Sequence, residues 1–128
     1  MIGLDTTAVI DLFRGDSNIK SVLQQYSAYA FTDFNYLELF FGLDSTNKQH
    51  IAEAEYYEQL FESVTRLSFN RDIARKASEI YWRSQKRGKT IGKFDCVIAA
   101  IYLANNVDTI ITRNSKHFSL TGLKVISY

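Results

Sequence analysis

The chain reads as an α/β domain: a short, mainly parallel sheet of four to five strands covered by helices. Three observations predict this. Short apolar or β-branched runs alternate with stretches of helical periodicity along the whole chain, beginning with a strand. The 128 residues suffice for one buried core and are too few for two, so residues 1–128 are read as one domain. An apolar share of 46% is that of a globular protein, not of a disordered one.

Taken in order, Met1–Leu4 is a buried strand that ends at Asp5-Thr6-Thr7. Thr6 or Thr7 caps a helix through Ala8, Val9, Ile10, Leu12 and Phe13, which Gly15 stops. Asp16 or Ser17 caps a short helix from Ile19 to Gln25, and Tyr29–Thr32 is a second strand. A helix capped by Thr32 or Asp33 runs through Tyr36, Leu37, Leu39, Phe40 and Leu43 and carries Glu38. Between Gln49 and Val64, Ile51, Ala54, Tyr57, Leu60 and Phe61 recur at helical spacing. The aromatic residues between Phe34 and Phe61 are mostly core by this reading; an exposed subset would form a docking surface.

Thr65–Phe69 is the third strand, and Asn70 caps a helix from Arg71 to about Arg87 with Ile73, Ala74, Ala77, Ile80 and Tyr81 facing inward. Next comes the most informative stretch, Ile91–Phe118. Asp95 precedes an apolar helical run through Val97, Ile98, Ile101 and Tyr102, in which Ala99 and Ala100 permit close approach to a sheet. Thr109–Thr112 is a β-branched strand that runs directly into Arg113, Asn114, Lys116 and His117. Leu123–Ile126 is the last strand.

Several function classes drop out. A net charge of +1 gives no global nucleic-acid signature, so any basic footprint is local. The one cysteine, Cys96, excludes an internal disulfide and a thiolate zinc cluster and is read as a packing residue. No apolar run approaches a membrane span, and a cytoplasmic location is the expectation. Gly-rich phosphate loops, H-E-x-x-H and nucleophile elbows are absent.

What remains is a set of acids at element edges. Asp5 follows a strand, Glu38 sits in a helix, and Asp95 stands at a helix start. Two have a bland alternative: a cap or turn acid for Asp5, a solvated helix face for Glu38. If they converge, three carboxylates need a compensating cation to stay ionised together. Oxygen ligands alone favour a hard divalent ion, Mg²⁺ or Mn²⁺, suited to phosphodiester chemistry. The basic run Arg83, Lys86, Arg87, Lys89 and Lys93 just before Asp95 is either a solvated helix end or a phosphate-binding flank.

The segments IGLDTTAVIDLFRG, NYLELFFG, IGKFDCVIAA and IITRNSKHF, in this order and spacing, resemble the motifs of PIN-domain ribonucleases, specifically VapC-type toxins of type II toxin–antitoxin pairs. The resemblance covers essentially the whole chain. It implies that Asp5 and Asp95 are metal ligands, that Glu38 is a direct or water-mediated one, and that the ion is Mg²⁺ or Mn²⁺. It also implies substrate contacts from Thr6 (alternatively bound to a carboxylate), Lys93, Arg113, Lys116 and His117; bare surface charge is the alternative for Lys116. Many relatives carry a fourth acid where this chain has Asn114, so a second metal is in question and the amide would orient water or substrate. Further implications are an RNA substrate, inhibition by a VapB-type antitoxin, and a homodimer. Two other classes stand against this reading. One is a non-catalytic PIN-like RNA- or protein-binding module. The other is a small-molecule phosphatase, ranked last because it would want D-x-D where this chain has Asp5-Thr6-Thr7.

Overall fold

Twelve elements alternate along the computed structural model, which describes residues 1–128. They are β1 (Ile2–Leu4), α1 (Thr6–Phe13), α2 (Ser17–Leu23), β2 (Tyr29–Thr32), α3 (Asp33–Phe41), α4 (Lys48–Ser63), β3 (Thr65–Leu67), α5 (Arg71–Lys86), α6 (Lys93–Ala104), β4 (Thr109–Ile111), α7 (Ser115–Phe118) and β5 (Lys124–Ile126). All five strands pair in parallel, in the order β3-β2-β1-β4-β5. The chain therefore winds from β1 outward to β3, then returns to lay β4 and β5 on the other side of β1. Connections leaving β1 and β4 part in opposite directions, so the carboxyl ends of those two strands are the sheet's switch point, where open α/β sheets form a crevice.

Register determines what stands at that crevice. Leu4 lies opposite Ile111, and the Asp5 N–H donates to the Ile111 carbonyl at 3.0 Å. Asp5 and Thr112 thus leave the sheet side by side. No proximity in sequence would bring them together.

Strand alternation sorts the core onto two faces. Ala30 and Ile110 pack under α5 and α6, with Ile73, Ala77, Ile80, Ile98 and Ile101. Leu4, Phe31 and Ile111 pack on the other face with Ala8, Val9, Ile19, Leu39, Tyr57 and Phe61. Both isoleucines of β4 are fully buried, one on each face, as a parallel sheet covered on both sides demands. Helix α5 presents a narrow stripe, Ile73, Ala77, Ile80 and Ser84, at steps of four, three and four. Ala74, expected inside, is exposed, and buried Ser84 extends the stripe.

Other departures from the sequence reading have local causes. β3 stops at Leu67, and Phe69 leaves the sheet to pack on the Phe34 ring at a centroid distance of 5.3 Å. The first turns of α4 stand off the core, leaving Ile51 exposed while Tyr57 and Phe61 are buried. The polar segment after β4 contains the unforeseen turn α7, anchored by fully buried Phe118. No helix is long and apolar enough to cross a membrane.

Candidate active site

Asp5 occupies the N-cap position of α1 in extended conformation, but its side chain makes no capping hydrogen bond. Oδ2 instead accepts from Thr7 Oγ1 at 2.8 Å and from Thr112 Oγ1 at 2.7 Å. The same two hydroxyls accept the main-chain N–H groups of Arg113 (3.2 Å, to Thr7) and Asn114 (2.9 Å, to Thr112). A buried carboxylate is thereby fixed between the start of α1 and the exit of β4, with only 4% of the residue exposed.

Glu38 lies on α3, whose N-terminus is closed by a reciprocal box between Thr32 and Asn35. Its Oε1 accepts from Thr6 Oγ1 at 2.7 Å. Burial raises its pKa, the charges of Asp5 and Asp95 add to the rise, and the Thr6 hydrogen bond opposes it. Asp95 is the third residue of α6, in the first turn, where the helix dipole favours an anion. Its pKa is nonetheless pushed up to about 6, first by burial and then by Asp5, against the opposing pull of His117. His117 Nδ1 stands 3.2 Å from Asp95 Oδ2.

The fold thus brings three carboxylates from three elements within electrostatic reach of one another. The His117 imidazole is the one basic group within 4 Å of any of them. They are not closed into a ready-made cage: no three acid, imidazole or thiol side chains converge at metal-ligand spacing. An all-oxygen donor set whose mutual repulsion the protein leaves largely uncompensated still fits a hard divalent cation.

The remaining residues singled out in the sequence lie around this centre. Thr6 is only 9% exposed, and its hydroxyl is committed to Glu38 and to Asn35 Nδ2 (3.0 Å). Its position is therefore beside a carboxylate and not open toward a substrate. Arg113 is turned onto α1, where Nη1 donates to Asp11 Oδ1 at 2.8 Å. Asp11 is 6% exposed and accepts at its other oxygen from the Tyr128 hydroxyl at 2.6 Å. Half-buried Asn114 precedes α7 without capping it, and Lys116 is exposed. Lys93 sets its ammonium 5.9 Å from the Tyr81 ring centroid, in the groove between α5 and α6 and not among the partners of the acids.

Sequence reasoning gave no site role to Thr7, which it offered only as a cap for α1, nor to Thr112, Asn35, Asp11 or Tyr128. Two of these left a trace: a hydroxyl run directly after Asp5, and a Thr32-x-x-Asn35 box three residues before Glu38.

The aromatic region divides. Tyr57 and Phe61 are core, whereas Phe41 is 72% exposed. Between the end of α3 and α4 lies a groove of about 450 Å³, lined by Phe40, Leu43, His50, Ile51, Ala54 and Glu58 among others.

A comparison with curated protein sequences returned no significant match. Among solved structures, the chain is similar to FitAcB from Neisseria gonorrhoeae, at a TM-score of 0.85 and 23% identity over 98% of this chain and 96% of that one. It is similar to VapBC2 from Rickettsia felis bound to a DNA fragment from their promoter, at 0.83 and 20% over 100% and 99%. VapBC-1 from nontypeable Haemophilus influenzae matches at 0.75 with 29% identity over 99% and 98%. The two matches below 25% identity speak for the fold. Residues 2–123 match the PIN domain profile, and with the all-parallel sheet and the acids at its switch point this places the chain in the PIN-domain family.

Proposed function

We propose that this protein is a divalent-metal-dependent endoribonuclease of the VapC toxin type, restrained by a VapB-type antitoxin. One observation supports the reading: Asp5, Glu38 and Asp95 stand within electrostatic reach of one another near the sheet's switch point, with His117 as the one basic group beside them. Membership of the PIN family and the likeness to FitAcB and to VapBC assemblies support the toxin role.

Asp5, Glu38 and Asp95 would hold the cation, Mg²⁺ or Mn²⁺. When bound, such an ion neutralises charge developing on a phosphodiester and acidifies the attacking water. The chain's own residues do the rest. Thr7 and Thr112 hold Asp5 in one orientation, and Thr6 does the same for Glu38. His117, 3.2 Å from Asp95, stands at the edge of the site where it can contact the RNA backbone. Arg113, anchored by Asp11, and exposed Lys116 supply positive charge for the RNA backbone. Asn114, where many relatives have an acid, offers a neutral amide that orients water or substrate. The groove between α3 and α4 is the surface we assign to the antitoxin.

A second reading, a non-catalytic RNA- or protein-binding module, draws on the lack of a closed ligand cage and on the His117 contact to Asp95. One assay separates the two. Purified protein is incubated with an RNA panel in Mg²⁺, in Mn²⁺ and in EDTA, alongside Asp5→Asn and Asp95→Asn. The nuclease reading expects ion-dependent cleavage that falls by roughly 10²-fold or more in each variant. RNA binding without cleavage, unchanged by EDTA and by both substitutions, supports the module instead.

A further inference from the structure

We propose that Asn35 is a positioning residue of the acid site: by fixing the direction of the Thr6 hydroxyl, it holds the Glu38 carboxylate ready for a divalent cation. This rests on the metal-dependent reading above.

The argument is one of hydrogen-bond direction. Asn35 is fully buried, and its amide can be placed in only one way. Oδ1 receives the main-chain N–H of Thr32 at 3.2 Å, and an N–H can only donate. The Thr32 hydroxyl donates to the same oxygen at 2.7 Å, while accepting the Asn35 main-chain N–H at 3.0 Å. Tyr102, fully buried on α6, brings its hydroxyl within 3.3 Å of that oxygen as well. Oδ1 is therefore pinned as acceptor, and Nδ2 must face Thr6 as donor, at 3.0 Å.

Thr6 Oγ1 has one proton. With Nδ2 donating into it, that proton is directed to its other neighbour, Glu38 Oε1, at 2.7 Å. The chain of bonds thus runs one way, from the Thr32 main chain through Asn35 and Thr6 to the carboxylate. The helix makes this economical: Asn35 and Glu38 are three apart on α3 and so share a face. The residue that completes the helix cap also aims the acid. Buried side-chain N and O atoms all have partners in this structure, so no slack is left for Thr6 to turn away.

The test measures Mn²⁺ affinity by titration calorimetry on the intact protein, with thermal melts as a fold control. The set is wild type, Asp95→Asn, Asn35→Asp, Thr6→Val, Thr6→Ser and the double variant Asn35→Asp/Thr6→Val. Asn35→Asp keeps the shape and the acceptor but removes the donor; Thr6→Val keeps the shape but removes the hydroxyl. We expect each to bind Mn²⁺ about tenfold more weakly, as loss of an outer-shell partner does. The double variant should be no weaker than Thr6→Val, because Asn35 acts only through Thr6. Thr6→Ser, which retains the hydroxyl, should bind like wild type.

If Asp95→Asn abolishes binding while the Asn35 and Thr6 variants bind like wild type, the positioning role is wrong and the metal site stands. Additive losses in the double variant overturn it too, since Asn35 would then act by another route. Should wild type bind no Mn²⁺ at all, both the site reading and this inference fall. Should Asn35→Asp not fold, Thr6→Val against Thr6→Ser still decides whether the hydroxyl matters.

Discussion

Asp95 carries a stability cost that a pH series can expose. Its pKa rises from an ordinary 3.8 to about 6 on folding, chiefly through burial and the neighbouring Asp5. A carboxylate whose pKa is raised in the folded state binds its proton more tightly there. Its favourable contribution is complete below about pH 4 and is lost as pH rises through about 6. Asp95→Asn removes that loss. Without divalent ions the variant should therefore be more stable than wild type at pH 7 by about 1–2 kcal/mol, discounted for the partly open setting. That corresponds to a Tm gain of about 5 °C, shrinking toward zero near pH 4. Melts in EDTA at a series of pH values check this; a Tm gain equal at pH 4 and pH 7 would sink the electrostatic explanation.

The elements owe their ends to a few polar side chains, each capping in its own way. Asn70 accepts the N–H of Ile73 at 3.1 Å and starts α5 on an otherwise exposed stretch. Asn70→Ala should cost about 1 kcal/mol in urea unfolding with an unchanged m value. A loss below a few tenths would mean that packing of the Ile73–Ser84 stripe alone defines the helix start. Asp16 accepts from the N–H groups of Asn18 and Ile19 and does the same for α2. Asp5, at the equivalent place before α1, caps nothing and spends its carboxylate on Thr7 and Thr112. One of those hydroxyls is two residues away and the other stands across the sheet, so the carboxylate ties α1 to the exit of β4 instead of closing the helix start. At the far end, Tyr128 and Arg113 share the buried carboxylate of Asp11, which ties the C-terminal residue and the exit of β4 to α1.

Over the whole molecule, the spacing between sheet and helix layer depends on a missing side chain. A Cβ on Gly3 in β1 would stand 2.8–2.9 Å from three ring atoms of Tyr102 on α6. Tyr102 cannot yield readily, because its hydroxyl donates to the Leu4 carbonyl at 2.5 Å and lies 3.1 Å from that of Ala30. Gly3→Ala should therefore destabilise the protein by about 2 kcal/mol through overpacking. In a Tyr102→Leu background the same substitution should cost much less, a non-additivity that a double-mutant cycle in urea measures. Equal costs in both backgrounds would show that the clash is relieved elsewhere.

The sequence by itself determined the alternation of strands and helices and the edges at which the acids stand. The β-branched run from Thr109, the inward positions Ile73, Ala77 and Ile80 of α5 and the cap at Asn70 are local patterns that periodicity and local hydrogen bonds report; for α2 and α3 the sequence left two capping candidates each, and Asp16 and Thr32 are the ones used. The likeness of its motifs to PIN ribonucleases carried the reading from edges to family, and the profile match over residues 2–123 bears out the family. Only the tertiary structure decided the strand order, the meeting of Asp5 with Thr112 across 107 positions, the turn of His117 onto Asp95, and the Asn35–Thr6–Glu38 chain. It also committed the Thr6 hydroxyl to Glu38 and Asn35 and set Lys93 in the α5–α6 groove. The physical reason is that a side chain's periodicity tells which face it buries but not which distant partner awaits it there. That choice belongs to packing, through the order in which parallel strands are laid down around β1.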